Sequence, residues 1–246
     1  MTSVVAAVRN IVLLSLPLLL PTTSSVLADP IGFSSGEQKV QLLELYTSEG
    51  CSSCPPAEMA LGKLVNDARL WREFVPVAFH VDYWDRLGWK DSFAQPAWTQ
   101  RQRAYSESWN TDTVYTPGFV LDGREWHNGA SIPASHATAP GVLRISDHGS
   151  GLIRVAFEPS KPDSFDVCVA RLGFGIKSKV DAGENSGKNL LHDFVVLSFA
   201  RSSIDTEPRD VQLPPNKADT ARKALVAWVT RRGELTPIQA TGGWLP

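Results

Sequence analysis

Residues 46–65 read YTSEGCSSCPPAEMALGKLV, and the cysteine pair in this stretch constrains the fold more than any other feature of the chain. Just upstream, Lys39–Thr47 (KVQLLELYT) is a short apolar run bounded by Gly36 and Gly50, which predicts a buried strand. Downstream, Met59, Leu61, Leu64 and Val65 recur at helical spacing. Pro55 and Pro56 suit a helical first turn, where backbone N–H groups have no intrahelical partner to lose. The cysteines therefore sit where a strand hands over to a helix.

The segments that follow extend this pattern. Phe74–Trp84 (FVPVAFHVDYW) predicts a second strand and QPAWTQRQRAYSESW a second helix. In TPGFVLDGREWHNG, Asp122-Gly123 marks a two-residue hairpin turn. From about Ser146 the texture changes to strand-like runs separated by Gly, Asn, Pro and Asp clusters, the signature of antiparallel β-structure. The fold class expected is α/β: a thioredoxin-like N-terminal domain (36–145) followed by an all-β, sandwich-like C-terminal region (146–246). With 246 residues there is ample apolar material for a core. The net charge of −2, with acids and bases interspersed, gives no electrostatic basis for binding nucleic acid.

Residues 1–28 carry an export pattern: Arg9, the apolar run Ile11–Leu20, and small residues ending at Ala28. The run is too short for a membrane span, which needs about 18–20 apolar residues, and it contains Pro17. The expected mature protein is periplasmic or secreted, without stable membrane insertion, in a compartment that permits disulfides.

Three chemistries fit Cys51 and Cys54: a redox centre, half of a metal site, or a structural staple. At a helix N-terminus a thiolate is stabilised by the helix dipole, so its pKa falls below the free value of about 8.5. In the redox reading Cys51, exposed, is the nucleophile and Cys54, one turn inward, resolves the mixed disulfide. No cofactor is needed, because the cysteine pair is itself the redox group. The partners are then a protein or peptide disulfide substrate and a second redox protein. Thr116-Pro117 stands immediately before an apolar strand, where the thioredoxin-like folds that this order of elements resembles keep a cis-proline facing the cysteines, with residue 116 offered to an incoming peptide; an ordinary trans turn proline is the alternative. Glu44, an acid in an apolar strand seven residues before Cys51, is a candidate proton acceptor for Cys54 if its side chain faces that way. The metal reading takes Cys51 and Cys54 with His80 or His127, a donor set suited to copper or zinc. Asp82 and Asp85 follow His80 at the end of the second strand. Trp84, Trp89, Trp98, Trp109 and Trp126 fit either an aromatic lip or core under a long loop. Arg101 and Arg103 read as solvated helix residues. Cys168, mid-strand in FDVCVARL, reads as a buried free thiol.

The motifs LELYTSEGCSSCPPAE, FHVDYWDRLGWKDSFAQPAWTQRQRAY, YTPGFVLDG and GENSGKNLLHDFVV together resemble the DUF1223 family. The resemblance covers most of the expected mature chain. It implies an exported, thioredoxin-like protein with a C-terminal β extension and carries no biochemical activity with it.

Overall fold

The computed structural model describes residues 1–3, 30–135, 138–216, 218 and 220–246. All but the first three residues of the expected export segment lie outside the described residues. The chain is α/β and rich in strand. In order it runs β1 (Ile31–Ser34), β2 (Gln41–Thr47), α1 (Cys54–Gly62), β3 (Phe74–His80), α2 (Pro96–Ser108), β4 (Gly118–Leu121) and β5 (Arg124–Glu125). There follow β6 (Gly141–Asp147), β7 (Leu152–Pro159), β8 (Phe165–Phe174), β9 (Ile176–Lys179), β10 (Asn189–His192), β11 (Val195–Ile204), β12 (Arg209–Gln212), β13 (Arg222–Arg231) and β14 (Pro237–Trp244).

Eight strands form one sheet in the order β14-β13-β8-β11-β3-β2-β4-β5. Strand β2 lies parallel to β3 and antiparallel to β4. β3 in turn meets β11 in parallel through a short joint at Ala78 and Val195. The division expected at residue 145/146 is therefore not a division between sheets, because β8, β11, β13 and β14 complete the sheet that β2–β5 begin. A smaller antiparallel sheet, β1-β6-β7-β12, supplies the sandwich. Its apolar residues Leu143, Ile145, Ile153, Val155 and Phe157 pack on Val167, Val169, Leu225, Ala227 and Val229 of the large sheet.

Alternation along these strands explains their nearly continuous apolar sequences. In β8, Val167 and Val169 face the small sheet, while Cys168, Ala170 and Leu172 join the core beneath the first half of the chain. β13 divides likewise, Trp228 and Val226 to one side and Leu225 and Ala227 to the other. A strand buried on both faces has no polar face to show.

Two local expectations fare differently. The β4–β5 turn uses Asp122 and Gly123 with φ of 49° and 80°, the positive pair a two-residue hairpin turn requires. Met59, expected to face the core, is instead 62% exposed, and α1 buries Cys54, Glu58 and Leu61.

Candidate functional site

Strands β2 and β3 carry buried polar groups on both faces. Tyr46 and Phe79 are register partners and stack on the α2 side, so Thr47 and His80, one residue on, face the opposite side with α1. The Thr47 hydroxyl donates to Glu58 Oε1 of α1 at 2.5 Å. Glu44, the cysteines and His80 are arranged around this division.

On the α1 side Cys51 and Cys54 are joined in a disulfide, with Cα atoms 5.4 Å apart. Cys54 opens α1, and its N–H donates to the Cys51 carbonyl at 3.2 Å. Pro55 and Pro56 remove two N–H groups from the first turn, so fewer backbone donors face the sulfurs than an ordinary helix start provides. Both cysteines are fully buried, although Ser52 and Ser53 between them are exposed. The expectation of an exposed Cys51 is thereby corrected.

Its cover comes from two places. Thr116-Pro117 is a cis peptide. The Thr116 carbonyl lies 3.7 Å from Cys51 Sγ and accepts from the Ser53 hydroxyl at 3.4 Å, while the Thr116 hydroxyl accepts from Trp84 Nε1 at 2.8 Å. The second cover is the β9–β10 hairpin. Asn185, wholly buried at its tip, donates from Nδ2 to the carbonyls of Glu49 and Cys51, both at 2.8 Å. Glu184 accepts from the Ser52 N–H at 3.0 Å. The GENSG stretch, whose composition reads as a plain turn, thus clasps the cysteine loop from more than 130 residues away.

Beneath the disulfide lies a second buried cluster. Glu58, four residues after Cys54 and so on the same face of α1, accepts from His192 Nδ1 at 2.5 Å. His192 Nε2 stands 3.3 Å from Glu49 Oε1, an ion-pair distance without hydrogen-bond alignment. The other Glu49 oxygen accepts from Trp89 Nε1 at 2.7 Å. His80 Nδ1 meets Asp91 Oδ2 at 2.7 Å, and that oxygen also accepts from the Glu49 N–H. The His80 and His192 rings cross at 5.2 Å and 74°. Burial works against the His192 imidazolium, but the contacts and charges of Glu49 and Glu58 outweigh it and raise its pKa to about 10. His80 is also raised, burial opposing and Asp91 prevailing. Burial lifts the Glu58 and Asp91 carboxyls, yet the facing imidazoles bring both below their usual range.

Glu44 belongs to the other face. Its oxygens accept from Arg101 Nε at 2.7 Å, Arg101 Nη2 at 2.9 Å, Tyr105 at 2.6 Å and Tyr46 at 2.9 Å. All three partners lie on the α2 side, so Glu44 is turned away from α1 and does not serve Cys54 there. Arg101, expected to be solvated, is only 9% exposed and stacks on Phe79, Tyr105 and Trp228. Burial first, then the Glu44 charge, raises the Tyr46 and Tyr105 phenols well above their usual pKa. Cys168 is buried and free, with burial lifting its thiol to about 11.

His127, the other expected metal donor, is exposed and lies 3.5 Å from Glu125. With the two sulfurs bonded to each other and His80 held by Asp91, the Cys51–Cys54–His80–His127 set is not assembled. Asp82 accepts from the Thr99 hydroxyl at 2.5 Å, and Asp85 accepts from the Asp91 N–H at 3.2 Å. The tryptophans divide: Trp84 and Trp89 line the site, Trp98 is core, and Trp109 donates to the Gly123 carbonyl.

A family model described as "Protein of unknown function (DUF1223)" matches residues 42–230. The chain belongs to the DUF1223 family. No curated protein matches it. Among solved structures it resembles a crystal structure of a protein from Agrobacterium tumefaciens, at 24% identity over 85% of this chain and 95% of that one, with a TM-score of 0.57. It also resembles HBP35 of Porphyromonas gingivalis, at 15% identity over 85% of this chain and 76% of that one, with a TM-score of 0.53. At these identities the likeness is one of fold.

Proposed function

We propose that this DUF1223 protein is an exported thiol-disulfide oxidoreductase whose redox group is the Cys51/Cys54 pair on a thioredoxin-like core. The observation that carries the reading is the Cys51–Cys54 disulfide at the start of α1, with the Thr116 carbonyl against Cys51 Sγ. The β2-α1-β3 order with an antiparallel β4 supports the thioredoxin-like description. The apolar segment Ile11–Leu20 behind Arg9 supports export.

In the reduced protein the Cys51 thiolate attacks a substrate disulfide, forming a mixed disulfide and expelling one substrate thiolate. Cys54, losing its proton, attacks Cys51 Sγ and releases the second substrate thiolate. Two electrons pass to the substrate and the Cys51–Cys54 disulfide forms; a dithiol partner running the steps backwards reduces it again. Since both sulfurs are buried, each step requires the cysteine loop to open, and the β9–β10 hairpin is bonded to that loop. The complete burial of the disulfide favours a second reading, a staple that only holds this loop.

Replacing Cys54 by Ser separates the two. The redox reading expects the variant to trap mixed disulfides through Cys51 with exported proteins, and the wild-type Cys51–Cys54 pair to have a reduction potential within the range of exchange enzymes. A staple yields none, and a potential below about −300 mV.

A further inference from the structure

In the buried cluster beneath the disulfide, the unpartnered atoms all lie on the residues best suited to hold a metal. Among the described residues, His80 Nε2, His192 Nε2 and Glu49 Oε1 are buried and accept or donate no hydrogen bond. On each of these residues the other polar atom is fixed by a second group: His80 Nδ1 by Asp91, His192 Nδ1 by Glu58, and Glu49 Oε2 by the Trp89 indole. Buried polar atoms are rarely left without a partner. An outer partner orienting each imidazole, with its remaining nitrogen free, is how metal-ligating histidines are held.

The arrangement is compact. One nitrogen of each imidazole and a Glu58 oxygen lie within 4.8 Å of one another, and Glu49 Oε1 stands 3.3 Å from His192 Nε2. In a tetrahedral site donors bound at about 2.0–2.2 Å stand about 3.3–3.6 Å apart, a spacing that Glu49 Oε1 and His192 Nε2 already have at 3.3 Å, and His80 closes in from within 4.8 Å.

We infer that His80 Nε2, His192 Nε2 and Glu49 Oε1, with Glu58 holding His192 from its other nitrogen, form a buried site for a divalent transition metal of the zinc type. Two imidazoles with carboxylate oxygens and no thiolate suit zinc rather than the sulfur-seeking monovalent copper ion. Oxygen-seeking magnesium or calcium would find too few oxygens. Because every donor is buried, the ion enters as the chain folds. It ties β3, α1, the cysteine loop and β10 to one point. This site shares no ligand with the cysteine pair, and it stands whether or not the disulfide exchanges.

The test uses the full chain expressed with zinc supplied and purified without chelator, with metal content measured by mass spectrometry. The expected result is about one equivalent of zinc in the wild type and in the Cys51→Ser/Cys54→Ser double variant. In His80→Gln and His192→Gln the expected content is below about a tenth of an equivalent. Wild type produced with cobalt in place of zinc should show the visible bands of a nitrogen- and oxygen-ligated ion without sulfur-to-cobalt charge transfer. This readout holds even if the histidine variants fail to fold. Metal-free wild type from zinc-rich medium overturns the inference. So does metal that disappears with the cysteines, or a cobalt spectrum with thiolate bands.

Discussion

Strands β2 and β3 carry a buried carboxylate cluster on each face, and the two are built to different rules. On the α2 face, Glu44 is met by Arg101, Tyr46 and Tyr105, and every oxygen has a donor. On the α1 face, Glu49, Glu58 and Asp91 are met by two histidines, and three buried atoms make no hydrogen bond, two of them, His192 Nε2 and Glu49 Oε1, facing each other at 3.3 Å. The first cluster is closed by a helix that follows β3 directly, the second by a hairpin that arrives more than a hundred residues later. A satisfied cluster under a local helix reads as permanent structure. An incompletely satisfied one, beside a disulfide and under a distant clasp, reads as a site.

The sharpest test of the contrast is Arg101→Met. It leaves the buried Glu44 without Arg101, its one cationic partner among the described residues, a change that costs about 3–5 kcal/mol. Denaturant unfolding of the variant should show a loss of that size. The double variant with Glu44→Gln should lose clearly less than the two single changes added together, because the residues share one network. Additive losses would mean that the α2 cluster is not the closed unit its hydrogen bonds describe.

Cys168 gives the next largest effect and belongs to the same quiet side. A thiol pKa of about 11 leaves roughly two hundredfold less thiolate at pH 8 than the free value of about 8.5. With the disulfide intact, alkylation of the folded protein at pH 8 should be slower than that of an exposed cysteine by at least this factor, and should speed up as pH rises. Fast labelling at pH 8 would place Cys168 in an open environment and remove it from the closed core.

The α1 side responds to its clasp. Asn185→Ala removes two hydrogen bonds to the cysteine loop, each worth about 0.5–1.5 kcal/mol. Reduction of Cys51–Cys54 by a small dithiol should accelerate roughly tenfold, since about 1.4 kcal/mol corresponds to a factor of ten. An unchanged rate would show that the hairpin does not limit access to the disulfide.

These contrasts also mark what the sequence makes legible. The strand, cysteine pair and helix are readable because their signals are local: an apolar run, paired prolines and a short periodic pattern. The Asp122-Gly123 turn is readable for the same reason. The face on which Glu44 lies is not, because the loop before Cys51 sets it and one residue of offset reverses it. Arg101 misleads because a charged residue on a mostly polar helix has no local sign of the carboxylate and aromatic rings that bury it. Glu58 was within reach, since it stands four residues from Cys54 on a helix whose start was readable. Asn185 and His192 were not, because their partners are set by the folding of a remote hairpin onto the cysteine loop.

Glu184 supplies the finest comparison, because it neighbours Asn185 on one hairpin and touches the same loop. Its carboxylate accepts from the Ser52 N–H, and the Ser52 hydroxyl first, then that N–H, hold its pKa below the usual range, yet the residue is exposed. Water replaces an exposed partner readily, whereas nothing replaces the buried Asn185 amide. Glu184→Ala should therefore raise the rate of disulfide reduction by less than about threefold, well short of the Asn185→Ala effect. If the two variants matched, the clasp would work by the charge of Glu184 near the sulfurs rather than by the buried amide. High salt would then reproduce the Glu184→Ala rate in the wild type. A rate insensitive to salt and dominated by Asn185 assigns the closure to the two buried hydrogen bonds.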